Sequence, residues 1–115
     1  AQQGKLAEAT QEYTQAIRIN PNYAKAHYNL GNVLARLGER RQAIAHWREA
    51  IRVNPDFAEA YANLGVTLTR QGQRREAVEV LKKARDLFKA QGKSDQAEQI
   101  DRILQRIERG TTVIT

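Results

Sequence analysis

Apolar residues recur at steps of three and four along almost the whole chain, which predicts a series of amphipathic helices and no strands. Asn20-Pro21 and Asn54-Pro55 interrupt this pattern, since proline cannot continue helical hydrogen bonding. Glycines break it elsewhere, at positions suited to helix ends. The pattern therefore predicts an all-α protein of about six helices, at about 5–19, 23–37, 40–53, 58–71, 74–90 and 94–110.

The middle of the chain repeats itself at a step of 34 residues. Residues 24–57 laid over residues 58–91 give 12 identities in 34 positions. Residues 4–21 match the second half of the same unit, beginning with Gly4 in register with Gly38. A period of this length is typical of stacked helical repeats, in which each unit packs on its neighbours.

The repeat register divides the chain into five segments. We expect a partial repeat with only its second helix (1–21), a full repeat (22–55), a second repeat with an extended second helix (56–91), a capping helix (92–110) and a flexible tail (111–115). In this scheme Gly4 lies at a turn, Asp56 accepts backbone N–H groups at the next helix start, and Ser94 or Asp95 caps the last helix.

Several spaced residues then resemble a known family. The order His27-x-x-Leu30-Gly31-x-x-Leu34 is followed by Ala43-x-x-x-Trp47, Ala50 and Pro55, and the next copy reads Tyr61-x-x-Leu64-Gly65-x-x-Leu68, Ala77-x-x-x-Leu81 and Ala84. This combination resembles the tetratricopeptide repeat signature. The resemblance implies a right-handed α-α superhelix, a solenoid of about two and a half repeats with a cap at the C-terminal end of a longer array.

The resemblance also implies a function. In the family, the first helices of successive repeats line a concave groove that receives an extended peptide or a partner helix. We therefore expect an adaptor or scaffold module that binds another protein. The groove residues carried over by position are Lys25, Tyr28, Asn29, Asn32, Arg36, Glu59, Asn63, Val66 and Arg70.

Two repeated pairs stand out among these groove residues. Asn29 and Asn63 each offer a donor and an acceptor to a peptide backbone, and the alternative is that both bond to a neighbouring helix. Arg36 and Arg70 are suited to holding a carboxylate, or else form a solvated rim. Tyr28 stands where carboxylate-clamp repeats need a basic residue, so a chaperone clamp is not expected.

Charge and exposed apolar residues leave two alternatives. The net charge of +6 and the pI of about 10 suggest nucleic acid as a partner. The basic residues of the second helices alternate with acidic ones, however, so only weak, salt-dependent binding through the outer surface is expected. The helix Lys5–Ile19 lacks its usual cover in the repeat scheme, so a structural, self-assembling array is the other alternative.

The sequence offers little for catalysis. The chain has no cysteine, its two histidines fall at packing or surface positions, and its aspartates are scattered rather than spaced for a metal. No glycine-rich phosphate loop and no long apolar segment occur. We therefore expect no enzyme activity, no metal or other cofactor, no membrane contact and a cytoplasmic location.

Overall fold

A computed structural model describes residues 2–110, with side chains described from Gly4 onward. The predicted tail at 111–115 lies outside the described residues. Within 2–110 there are six α-helices and no strand, and none of these helices is long and apolar enough to cross a membrane. The helices are α1 (Gln2–Ile19), α2 (Ala24–Arg36), α3 (Arg40–Val53), α4 (Ala58–Arg70), α5 (Arg74–Ala90) and α6 (Ser94–Glu108).

The helix positions agree with those predicted from the sequence, with one exception at the first helix. Gly4 was predicted to lie at a turn, but it lies inside α1 and is not among the glycines with a positive φ. At Gly38 the turn is held by the carbonyls of the preceding helix, with Glu39 N donating to Leu34 O at 2.8 Å. Gly4 instead continues the helical conformation of α1.

The glycines that do end helices have the expected backbone. Gly38 and Gly72 have φ values of +86° and +82°, a region that favours glycine. After each of them the next N–H donates to a carbonyl five residues earlier, which satisfies one of the open acceptors at the helix end. These two turns reverse the chain within each helix pair, α2 with α3 and α4 with α5.

The helix starts differ from the prediction. Phe57 is the N-cap residue of α4 and Lys93 that of α6, and neither makes a side-chain capping hydrogen bond. Ser94 and Asp95 therefore lie inside α6 rather than at its N-cap, whereas Asp56 directly precedes the N-cap of α4 and has an interaction partner within the chain. The helices start because each packs an apolar face rather than because of a capping side chain.

The chain divides into two compact units, Ala1–Pro55 and Asp56–Thr115. In the first unit α2 packs against both α1 and α3. Gly31 makes the close approach of α2 and α3 possible, because a Cβ at this position would lie 2.6 Å from the Trp47 indole nitrogen. Trp47 itself is only 2% exposed, and the wholly buried Ala43 and Ala50 lie one turn to either side of it.

The second unit holds α4, α5 and α6 around one hydrophobic cluster. Leu81 is fully buried there, and its side chain lies where a Cβ on Gly65 would need to be, at 2.6 Å. The apolar face of α6 completes the cluster with Ala97, Ile100 and Leu104. Its buried members are Ala58, Leu81, Ala84, Phe88, Ala97, Ile100 and Leu104.

Candidate peptide-binding site

A cleft of about 290 Å³ lies between α1 and α2 in the first unit. Residues of α1, of α2 and of the loop between them line it, among them two alanines and two tyrosines. Its volume suits one or two side chains of a bound segment rather than a folded partner. The lining residues are Glu12, Tyr13, Ala16, Tyr23, Lys25, Ala26 and Asn29.

The cleft contains polar groups that other parts of the chain do not occupy. The Asn29 side chain is half-buried, and its amide makes no hydrogen bond among residues 4–110, whose side chains are described. Glu12 and Lys25 are exposed on α1 and α2, and neither forms an ion pair with a described residue. The cleft therefore offers an amide donor and acceptor and one charge of each sign between aromatic walls.

Two side chains hold the loop that carries Tyr23 into the cleft. The Nε2 of His27 lies 2.9 Å from the Pro21 carbonyl, and Arg52 Nη2 donates to Asn22 Oδ1 at 3.1 Å. Arg52 also pairs with Glu49 one turn earlier on α3, with 2.6 Å between Arg52 Nε and Glu49 Oε1. The loop is thus anchored to α2 and α3, although Tyr23 itself is 45% exposed.

His27 and His46 form a stacked pair beside this loop. Their ring centroids are 5.3 Å apart and their Nδ1 atoms 3.0 Å apart, and His27 is only 6% exposed. Burial lowers the pKa of His46 most, the neighbouring His27 lowers it further, and Glu49 opposes both. Packing was the role expected of His27, but its contact with His46 was not predicted.

The other predicted residues of the first unit have different surroundings. Asn32 does not present a vacant amide, because its Oδ1 accepts the Trp47 indole N–H at 3.0 Å. Tyr28 is half-buried and has an interaction partner within the chain. Arg36 is exposed in the last turn of α2. Of the five groove residues predicted here, the structure brings Lys25 and Asn29 together in the cleft.

The predicted residues of the second unit are largely engaged by that unit. Glu59 Oε2 accepts a hydrogen bond from Lys93 Nζ at 3.0 Å, which ties the start of α4 to the start of α6. Val66 is half-buried against the hydrophobic cluster. Asn63 is half-buried and has a partner in the chain, whereas Arg70 is exposed at the end of α4.

Sequence reasoning missed the α1 wall of the cleft and both polar side-chain pairs. Tyr13 and Glu12 belong to the partial repeat, whose second helix was assigned to an outer wall. A signal for the pairs was present in the repeat itself, because the copies differ at both partners together. Asn32 and Trp47 become Val66 and Leu81, and His27 and His46 become Tyr61 and Val80.

The described fold defines an all-α protein of consecutive helix pairs, with α6 packed against α5. Comparison with family models identifies the pairs. Models described as TPR repeat and tetratricopeptide repeat match residues 1–38, 24–57 and 57–90, one after another along the chain. The chain therefore belongs to the tetratricopeptide repeat family, as its spaced residues predicted.

Known proteins show the same similarity. The TPR repeat-containing thioredoxin TTL4 of Arabidopsis thaliana is 46% identical over 39 residues, which are 34% of this chain and 6% of that protein. A crystal structure of MamA is 34% identical with a TM-score of 0.73, over 77% of this chain and 52% of that one. The chain thus spans only a small part of the plant protein and about half of the MamA chain.

Two further structures support the fold. The TPR2B domain of yeast Sti1, in a complex with pHsp70, is 25% identical with a TM-score of 0.84, over 95% of this chain and 87% of that one. The Yersinia enterocolitica type III secretion translocator chaperone SycD has a TM-score of 0.87 at 16% identity, over 97% of this chain and 78% of that one. At that identity, the likeness to SycD concerns the fold alone.

The described residues offer no arrangement of groups typical of a metal site. No cluster of three or more His, Cys, Asp or Glu side chains occurs between residues 2 and 110. Every buried side-chain nitrogen or oxygen in that range has a hydrogen-bond partner. The polar atoms available to a ligand therefore belong to half-buried and exposed groups, among them those at the cleft.

Proposed function

We propose that this chain is a protein-interaction module and that the cleft between α1 and α2 receives an extended segment of another protein. The observation that carries the proposal is the Asn29 amide, which is half-buried at the cleft and has no hydrogen-bond partner among the described residues. An amide in this situation can bond to both an N–H and a C=O of a peptide backbone. The Sti1 domain, which is similar over most of its length, is seen with pHsp70, and this supports a protein as the partner.

The walls of the cleft suggest how the segment is held. Tyr13 and Tyr23 can pack against an apolar or aromatic side chain, which supplies most of the contact area. Asn29 holds the backbone of the segment. Lys25 on α2 favours an acidic group of the segment, and Glu12 on α1 favours a basic one. Arg36, exposed in the last turn of α2, extends the proposed site beyond the cleft within the first unit.

The test starts from a peptide selected for binding from a display library. Asn29→Ala should weaken its affinity about fivefold, the factor that corresponds to one hydrogen bond worth ~1 kcal/mol. The urea midpoint should not fall, because no hydrogen bond to a described residue is lost. Gln105→Ala, at an exposed position of α6, is the matched control and should leave the affinity unchanged. Equal affinities for wild type and Asn29→Ala would refute this site.

Nucleic-acid binding is a second candidate with an observation of its own. Four basic side chains of α5 are exposed and form no ion pair with a described residue: Arg74, Arg75, Lys82 and Lys83. Such a surface binds phosphate without sequence preference, and its affinity falls steeply with salt. If this is the function, substituting Arg74 and Arg75 reduces the salt slope of binding, whereas Asn29→Ala does not change it.

Self-association through α1 is a third candidate. Ile19, at the end of α1, is 76% exposed, and Tyr23 next to it in the loop is also accessible. An apolar side chain so exposed favours contact with another apolar surface. In this case the chain forms concentration-dependent oligomers that Ile19→Asn disrupts.

A further inference from the structure

We propose that His27 and His46 form a pH-responsive latch. The latch holds the loop at residues 20–23, and with it the Tyr23 wall of the cleft, until both imidazoles are protonated. The latch itself is a property of the first unit. Its effect on binding rests on the proposed function of the cleft.

The hydrogen bonds fix which nitrogen of each ring carries a proton. The Pro21 carbonyl only accepts, so His27 Nε2, at 2.9 Å, must carry a hydrogen. A neutral His27 then has a bare Nδ1, which acts as the acceptor in the 3.0 Å contact with His46 Nδ1. His46 must therefore carry its hydrogen on Nδ1, which leaves its Nε2 bare.

The pair accommodates one added proton but not two. The first can attach to the bare Nε2 of half-buried His46, and the bond between the two Nδ1 atoms is kept. The second must attach to His27 Nδ1, where an N–H would face another N–H across 3.0 Å. Two stacked charged rings would then repel each other at a centroid distance of 5.3 Å, with His27 almost out of reach of water.

Release of His27 has a direct consequence for the loop. A charged His27 ring can relieve this repulsion by turning out of its buried position, and its Nε2 then leaves the Pro21 carbonyl. The remaining side-chain contact from the helices is the exposed bond from Arg52 to Asn22. Tyr23 follows Pro21 by two residues, so loss of the bond from His27 to Pro21 frees the part of the loop that positions Tyr23 in the cleft.

The charged groups around the pair are few. Among the described residues, those acting on His46 are His27 from α2 and Glu49 from its own helix α3, and α1 contributes none. Arg52 pairs with Glu49, and this hydrogen bond lowers the pKa of Glu49. Burial and His27 together lower the pKa of His46.

The second unit supplies a natural control. At the positions of His27 and His46 it has Tyr61 and Val80, neither of which takes up a proton as pH falls. Its loop at Asp56 and Phe57 corresponds to the loop at Asn22 and Tyr23. Any pH effect specific to the latch must therefore appear in the first loop and not in the second.

The test measures ring tautomers and amide exchange by NMR on the whole chain. At about pH 8, nitrogen shifts should show His27 protonated at Nε2 and His46 protonated at Nδ1. From about pH 8 to about pH 5, exchange of the Tyr23 amide, which donates to Asn20 O at 3.1 Å, should accelerate at least about tenfold relative to Phe57. The ratio of two amides in one sample removes the general effect of pH on exchange.

Two variants complete the test. The double substitution His27→Tyr and His46→Val places the residues of the second unit in the first, and the exchange ratio should then be independent of pH. His46→Gln should also abolish the change, because the amide can present either N–H or oxygen to His27. The opposite tautomers, a constant ratio in the wild type, or an equal change in these variants would each overturn the latch. None of these results depends on whether a peptide binds the cleft.

Discussion

The contact between Asn32 and Trp47 allows a sharp test of how the two repeats differ. Trp47 is 2% exposed, and its indole N–H donates to Asn32 Oδ1 at 3.0 Å. Asn32→Val removes the acceptor, so the buried N–H loses its partner and the free energy of unfolding should fall by about 1–3 kcal/mol. Asn29→Val is the matched control, on the same helix and without a described partner, and should cost no more than about 0.5 kcal/mol.

The second unit shows which double variant should rescue the loss. At the same positions it has Val66 and Leu81, and Val66 packs against the cluster that contains Leu81. Trp47→Leu alone removes a large buried ring and should cost about 2–4 kcal/mol. In the double variant the indole is absent, so removal of the Asn32 amide leaves no buried N–H group without an acceptor. The double variant should therefore lose about 1–2 kcal/mol less than the sum of the single variants.

Urea unfolding followed by far-ultraviolet circular dichroism measures all four variants, since Trp47 fluorescence is lost in two of them. A constant m-value shows that the same unfolding transition is compared each time. If Asn32→Val costs no more than Asn29→Val, the hydrogen bond to the indole contributes nothing. If the double variant is simply additive, the two positions are not energetically coupled.

Three further predictions test packing, protonation and assembly. Gly65→Ala should destabilise by about 1–3 kcal/mol in urea unfolding, because the added Cβ would meet buried Leu81 at 2.6 Å, whereas Gly4→Ala, with nothing within 4 Å, should be neutral or stabilising. The pKa of His46 is lower in the folded state, so on acidification the unfolded state binds this proton first, and the free energy of unfolding should fall as pH drops below about 6.5. The fall should level off once folded His46 is also protonated. Urea midpoints measured across this pH range should show this fall in the wild type and not in His46→Gln. Light scattering at high concentration should detect oligomers that Ile19→Asn dissolves, and a strict monomer would refute self-association through α1.

The fold was predictable because it depends on patterns that repeat. Small residues such as Gly31 and Gly65, at one position of each copy, lie where the partner helix approaches most closely. Gly4 shows the limit of this reasoning, since it shares the repeat position of Gly38 and yet lies inside α1 without a positive φ. Residues at the same position of two repeats can have different neighbours, and the conformation of each residue depends on the neighbours that it contacts.

The site was less predictable because register assigned equal roles to residues in unequal surroundings. Asn29 and Asn32 both lie on α2, three residues apart, yet one faces the cleft and the other accepts from Trp47. Lys25 and Glu59 occupy the same position of successive repeats, but Glu59 is paired with Lys93 of the second unit. The sequence shows which residue types are present. Whether their polar groups are free to bind a ligand depends on contacts with residues of other helices.

Differences between the copies therefore indicate where function can lie. Asn32 with Trp47 is in direct contact, and so is His27 with His46, so changes at these pairs between repeats are explained by mutual fit. Lys25 differs from Glu59 without such a partner, and Asn29 keeps its amide available where Asn63 does not. Because Lys93 at the start of α6 already engages Glu59, the capacity to bind a peptide should be concentrated in the first unit. Asn29→Ala should accordingly weaken peptide binding more than Asn63→Ala does, and the reverse order would place the site on α4.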